Sequence, residues 1–168
     1  MSTTIAIAVQ RMLSIQARRA PEGAARVFVF MFVRLPLPAH AEGALDLVEL
    51  ARDVLAPLNA IGHKTGAKLT DAGVVPAPGF ADAYAQFVQG GWMSFAFPEA
   101  FGGQGLPKPL ALAVFEMIHG ANMAFGLCPL LSFGAIEALL AHGSPELQQT
   151  YLPKLISGEW TGAMNLTE

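Results

Sequence analysis

Side chains able to do acid–base, nucleophilic or metal chemistry are sparse in this sequence and widely separated. His40, His63, His119 and His142 fall in four different segments, with no metal-ligand spacing among them. His142 precedes Gly143 at an expected helix end, where it acts as a local cap or dipole partner. Cys128, the single cysteine, lies between Leu127 and Pro129 and reads as a small buried hydrophobe, since no base stands at a telling spacing from it. One cysteine also excludes a disulfide framework and a cysteine-built zinc site within one chain. Glu99, Glu116 and Glu137 are of the right type for a general base, yet solvated or capping carboxylates account for all three. Gly102-Gly103-Gln104-Gly105 ahead of a helix invites comparison with a phosphate loop, but the Lys-Ser/Thr pair and a preceding strand are both missing. Spacing alone nominates no catalytic residue and no metal ligand.

The elements that would position these groups are mostly helices. Leu47, Ala51, Val54, Leu55 and Leu58 form a helical stripe over residues 44–58, with Pro57 marking its exit. Residues 62–78 are polar and turn-rich and read as a loop. Phe80, Ala83, Tyr84, Phe87 and Val88 define a second helix that stops at Gly90-Gly91. A glycine-rich connector follows over 97–106. Pro107 and Pro109 open a helix whose face is Leu110, Ala113, Val114 and Met117. Another is expected from about Ser132 to His142, with Phe133, Ile136, Leu139 and Leu140 inward. Ser144-Pro145-Glu146 starts the last, whose expected buried face is Leu147, Thr150, Tyr151 and Leu155, with a kink at Pro153. Trp160 to Thr167 alternates as a strand does.

Apolar residues make up 53% of the 168 residues and charged residues 14%, so the chain has ample surface to bury and too little charge for an ordinary exposed domain. A net charge of −3 gives no footing for nucleic-acid binding. Five arginines and one acid lie in residues 1–40, whereas acids dominate thereafter, which places a composition break near residue 40. The Arg-rich start and the apolar run Val27 to Val33 resemble a targeting signal only in part, because Arg34 interrupts the run and the basic stretch before it is long. Residues 1–40 therefore read as a poorly ordered extension, with Pro36 and Pro38 in a linker. Met117 to Ile136 has the length of a membrane span, but His119, Asn122, Pro129, Ser132 and three glycines inside it favour two buried helices joined by a turn.

Two blocks, FPEAFGGQGLPKPLALAVFEM (97–117) and IEALLAHGSPELQQTYLPKLISGEWTGAMNLTE (136–168), resemble the N-terminal half of an acyl-CoA dehydrogenase. The matching positions are Pro98-Glu99, Gly102-Gly103, Gly105-Leu106, Gly143, Tyr151-Leu152-Pro153, Gly158-Glu159 and Thr167-Glu168, and the likeness spans roughly residues 42–168. Ala121 to Leu131, with the 62–78 loop, is most similar to a bacterial long-chain-type subgroup. Residues 1–40 match nothing in the family.

The resemblance implies an all-α fold: the orthogonal helical bundle of the family's N-terminal domain over 41–159, with 160–168 as the first strand of a middle β-domain. It implies FAD as cofactor, an acyl-CoA thioester as substrate and electron-transfer flavoprotein as redox partner. In the family, a glutamate takes the α-proton while a hydride leaves Cβ for the flavin, and the protein positions and polarises. That glutamate belongs to a C-terminal domain that has no counterpart here. Met164, Leu166 and Thr167 match flavin-contacting positions, and Phe125, Cys128, Pro129 and Phe133 fall on a helix that helps to line the acyl pocket, where core packing is the alternative role for each. The chain is thus expected to be an N-terminal fragment, cytoplasmic, inactive alone, and prone to self-associate through uncovered apolar faces. A free-standing helical interaction module and a small membrane-associated protein remain as alternatives.

Overall fold

The computed structural model describes residues 47–163. The 1–40 extension and Met164, Leu166 and Thr167 lie outside the described residues. Five helices dominate. Helix α1 (residues 47–65) opens with an α-helical turn, Leu47–Glu49, widens to a π-helix over Leu50–Leu55, and continues as α-helix over Ala56–Thr65. A short antiparallel pair follows, β1 (Lys68–Thr70) and β2 (Gly73–Val75), with Leu69 opposite Val74. Next come α2 (Phe80–Gln89), a 3₁₀ turn (Glu99–Phe101), α3 (Pro109–Ala121), α4 (Met123–His142) and α5 (Pro145–Ile156).

The π-helical stretch of α1 is the hub, packing against both α2 and α3, while α4 runs against α3, α5 and the end of α1. Pro57 does not end α1, contrary to the sequence expectation. Ahead of it the Ala56 N–H reaches back five residues to the Ala51 carbonyl, and the widened turn relieves the clash a proline ring makes with the carbonyl four residues earlier. The widening leaves Leu50 and Leu55 with no exposed surface. The 62–78 segment also differs from its expected loop: it completes α1 and then forms the hairpin, closed by the two residues Asp71 and Ala72 with the Thr70 hydroxyl donating to the Gly73 carbonyl at 2.8 Å.

Two helices joined by a turn do account for 117–136, although the second is buried on one face only, and the turn is a single residue. The Asn122 N–H closes α3 on the Ile118 carbonyl (2.8 Å), and its Oδ1 accepts from the Phe125 N–H (3.0 Å) as the N-cap of α4. Its Nδ2 donates to the Leu55 carbonyl (3.1 Å), so a fully buried amide ties three helices together. Helix α4 begins nine residues before the expected start at Ser132, because this cap lets it run through Gly126 and Pro129. Among the described residues it is the one helix long and apolar enough to cross a membrane. Its inner face, Phe125, Pro129, Phe133 and Ile136, nevertheless sits in the bundle core.

Helix α5 starts as expected, with the Ser144 hydroxyl accepting from the Leu147 N–H. Its buried face is Leu152, Leu155 and Ile156, whereas Leu147 and Tyr151 are exposed, and the helix continues through Pro153. The last turn of α4 is capped by the Gln148 amide, which donates to the carbonyls of Leu139, Leu140 and Gly143, a role the sequence suggested for His142. Residues 160–163 form no strand, for no second strand lies beside them among the described residues.

Replacing Asn122 with Ala removes a helix cap and leaves the buried Leu55 carbonyl without its donor. Urea denaturation is expected to show a loss of about 2 kcal/mol. A loss below a few tenths would mean that the junction holds without this side chain.

Candidate functional site

The glycine-rich connector packs as a closed loop on its own backbone. Gln104, Gly105 and Leu106 donate their N–H groups to the carbonyls of Ser94 (3.1 Å), Phe97 (2.8 Å) and Phe95 (2.9 Å). Gly102 and Gly103 donate to Glu99 and Pro98, both at 3.0 Å. The Gln104 amide adds bonds to the Gly91 carbonyl and the Ser94 hydroxyl, both 3.0 Å. A Cβ on Gly103 would collide with the Phe97 carbonyl, and Gly102 takes φ 87°, so the sequence needs glycine at both places. With its N–H groups spent internally, this loop is no phosphate cradle.

What the loop does is seat Phe95 and Phe97 against α4. The Phe133 ring meets Phe97 at 4.4 Å, Phe115 edge-on at 4.9 Å and Phe95 at 5.9 Å. Phe125 meets Phe87 edge-on at 5.9 Å. Of the four residues expected along the acyl pocket, Phe125, Pro129 and Phe133 therefore share one buried face of α4. Contrary to the buried reading of its sequence setting, Cys128 is exposed: it lies outside that face, on the side of Tyr84, whose hydroxyl donates to the Gly158 carbonyl at 3.1 Å. Burial pushes the Cys128 thiol up, and burial followed by the nearby Cys128 does the same to Tyr84, so neither group is primed as a nucleophile or base near neutral pH.

The outward face of α4 is different. Met123 (57% exposed), Leu127 (49%) and Leu130 (41%) follow helical spacing on it, with Ala124 and Cys128 beside them. Glu137 is tied to Lys108 by a 2.6 Å ion pair across to α3, and Glu116 is exposed. Among the described residues no three His, Cys, Asp or Glu side chains converge as a metal site. Two buried nitrogens there have no hydrogen-bond partner, Trp92 Nε1 and His119 Nε2. Each faces the chain's own backbone: a Cβ on Gly90 would stand 2.5 Å from Trp92 Nε1, and one on Gly126 would strike the His119 ring. Neither of these two nitrogens is therefore placed to hold a flavin.

Residues 49–159 match the acyl-CoA dehydrogenase N-terminal domain, and the chain belongs to that family. It is similar to 3-methylmercaptopropionyl-CoA dehydrogenase of Ruegeria pomeroyi, with 49% identity over 116 residues, 69% of this chain and 20% of that protein. Butyryl-CoA dehydrogenase of Syntrophomonas wolfei is 32% identical over 124 residues, 71% of this chain and 20% of that protein. Mitochondrial isovaleryl-CoA dehydrogenase of Oryza sativa is 42% identical over 76 residues, 42% of this chain and 18% of that protein. The chain thus spans about a fifth of the length of these curated relatives.

The sequence did not reveal the roles of Asn122, Gln104, Gln148 and Ser132, whose polar side chains hold helix ends and loops in place. The visible signal was a polar residue between apolar runs at 122 and a glutamine inside a glycine cluster at 104.

The raised Cys128 thiol makes a pH prediction. Only the thiolate alkylates, so the iodoacetamide rate of the folded chain should rise at higher pH than that of free cysteine. A profile that matches or precedes free cysteine would contradict the desolvated setting.

Proposed function

We propose that this chain is the N-terminal helical portion of an FAD-dependent acyl-CoA dehydrogenase that introduces an α,β double bond into an acyl-CoA thioester. The observation that carries the reading is the pairing of a folded inner core with an uncovered apolar row, Met123, Leu127 and Leu130, on the outer side of α4. A helix whose first half is apolar on its inner and outer faces alike has a second face for another body to cover. In this reading residues 41–159 are one wall of the site and 160–168 begin the next domain. The base and most flavin contacts come from segments other than the described residues, with Met164, Leu166 and Thr167 contributing at the boundary.

Phe125, Pro129 and Phe133 are committed to the core, so an acyl chain that meets α4 does so on the side of Cys128 and Leu127. The electrons pass to an electron-transfer flavoprotein, and the protein works in the cytoplasm. The chain by itself does not turn over acyl-CoA. Instead of a flavin it captures further copies of itself, through the uncovered row.

Two measurements on the purified chain test this. Fluorescence titration with FAD should give no stoichiometric complex at micromolar concentration. Sedimentation should show association that Leu127→Glu with Leu130→Glu weakens at least tenfold, since about 1.5 kcal/mol or more per large side chain is at stake. Tight flavin binding, or a monomer indifferent to both substitutions, would refute the reading.

A further inference from the structure

Ser132 lies in the middle of α4 with no exposed surface, and its hydroxyl is engaged twice. It donates to the Cys128 carbonyl at 3.1 Å, the back-bond of a helical serine. It also accepts from the Gly162 N–H at 2.9 Å, a contact between residues 30 apart in sequence. A Cβ on Gly162 would stand 2.7 Å from the Ala135 Cβ and 3.1 Å from the Ser132 Cα, so the backbone lies directly on the helix here. Just upstream the chain is fixed to α5. The Trp160 N–H donates to the Lys154 carbonyl at 3.0 Å, and its indole lies 6.0 Å from the Tyr151 ring and 4.5 Å from Lys154 Nζ.

We propose that Ser132 is a positioning residue: by holding the Gly162 N–H on α4, it sets the place and register in which the polypeptide leaves the helical bundle. Three features converge on this role. The hydroxyl is inside the bundle, where an unpaired N–H is costly. The contact needs glycine on one side and a small hydroxyl residue on the other. The exit segment is already pinned at Trp160, so one more bond at Gly162 fixes its direction as well as its position.

Amide hydrogen exchange of the intact 168-residue chain, followed by NMR, reads this bond at a single site. Ser132→Ala should speed exchange at Gly162 about fivefold while Leu155 and Ile156 inside α5 keep their rates. Ser132→Thr, which keeps the hydroxyl, should restore protection at Gly162, an effect that mere filling of space would not produce. Should Ser132→Ala loosen the whole bundle, Gly162→Ala attacks the contact from the other side and should speed exchange at 162 and 163 with Ser132 in place. Unchanged exchange at Gly162 in Ser132→Ala, or failure of Ser132→Thr to protect it, would overturn the assignment. This outcome is independent of the flavin titration: fast exchange at Gly162 in the unsubstituted chain would sink the clasp alone, and tight FAD binding would sink the dehydrogenase-fragment reading alone.

Discussion

A single residue, Asn122, closes one helix with its backbone, caps the next with its side chain and ties both to a third, and the rest of the bundle is arranged around it. Asn122 separates α3 from α4 with no other residue between them. A turn this tight leaves no room for water to satisfy the terminal N–H and carbonyl groups. The backbone N–H of Asn122 closes α3, while its amide accepts from α4 and donates to the Leu55 carbonyl of α1. The angle between α3 and α4 is therefore coupled to the position of the π-helical stretch. Leu50 and Leu55 in that stretch fill the space between α2 and α3.

The second constraint is aromatic. Phe133 stands among Phe95, Phe97 and Phe115, and two of those three rings arrive on the non-helical chain at and just before the connector rather than on a helix. A loop can deliver large rings accurately only if its backbone is fixed, and the internal hydrogen bonds of 102–106 with the Gln104 clamp fix it. The glycines that look like a ligand-binding loop in sequence are there so that chain can lie on chain.

How far the sequence disclosed this depends on the kind of interaction. Periodicity exposed α2 and α3, and residue type exposed the N-cap of α5, because burial and capping leave regular marks at fixed spacing. It did not expose the widening of α1, since a π-turn adds one residue without changing residue types, and Pro57 then looked like a stop. The hairpin stayed hidden because all six strand residues are exposed, so Leu69 and Val74 alternate against no polar face. Leu147 and Tyr151 looked inward by spacing, yet Leu152, Leu155 and Ile156 are the buried set. Of the residues tied by resemblance to a site, Phe125, Pro129 and Phe133 are seen to pack in the core, whereas Met164, Leu166 and Thr167 lie outside the described residues. The family was legible because it rests on ordered motifs, and those survive any misjudged helix face.

The hairpin packs chiefly against itself and projects Leu69 (84% exposed) and Val74 (70%) away from the helices. Mechanical independence of this kind makes it an insertion point: a peptide tag or fluorophore-bearing loop grafted between Asp71 and Ala72 leaves the helical scaffold's geometry untouched.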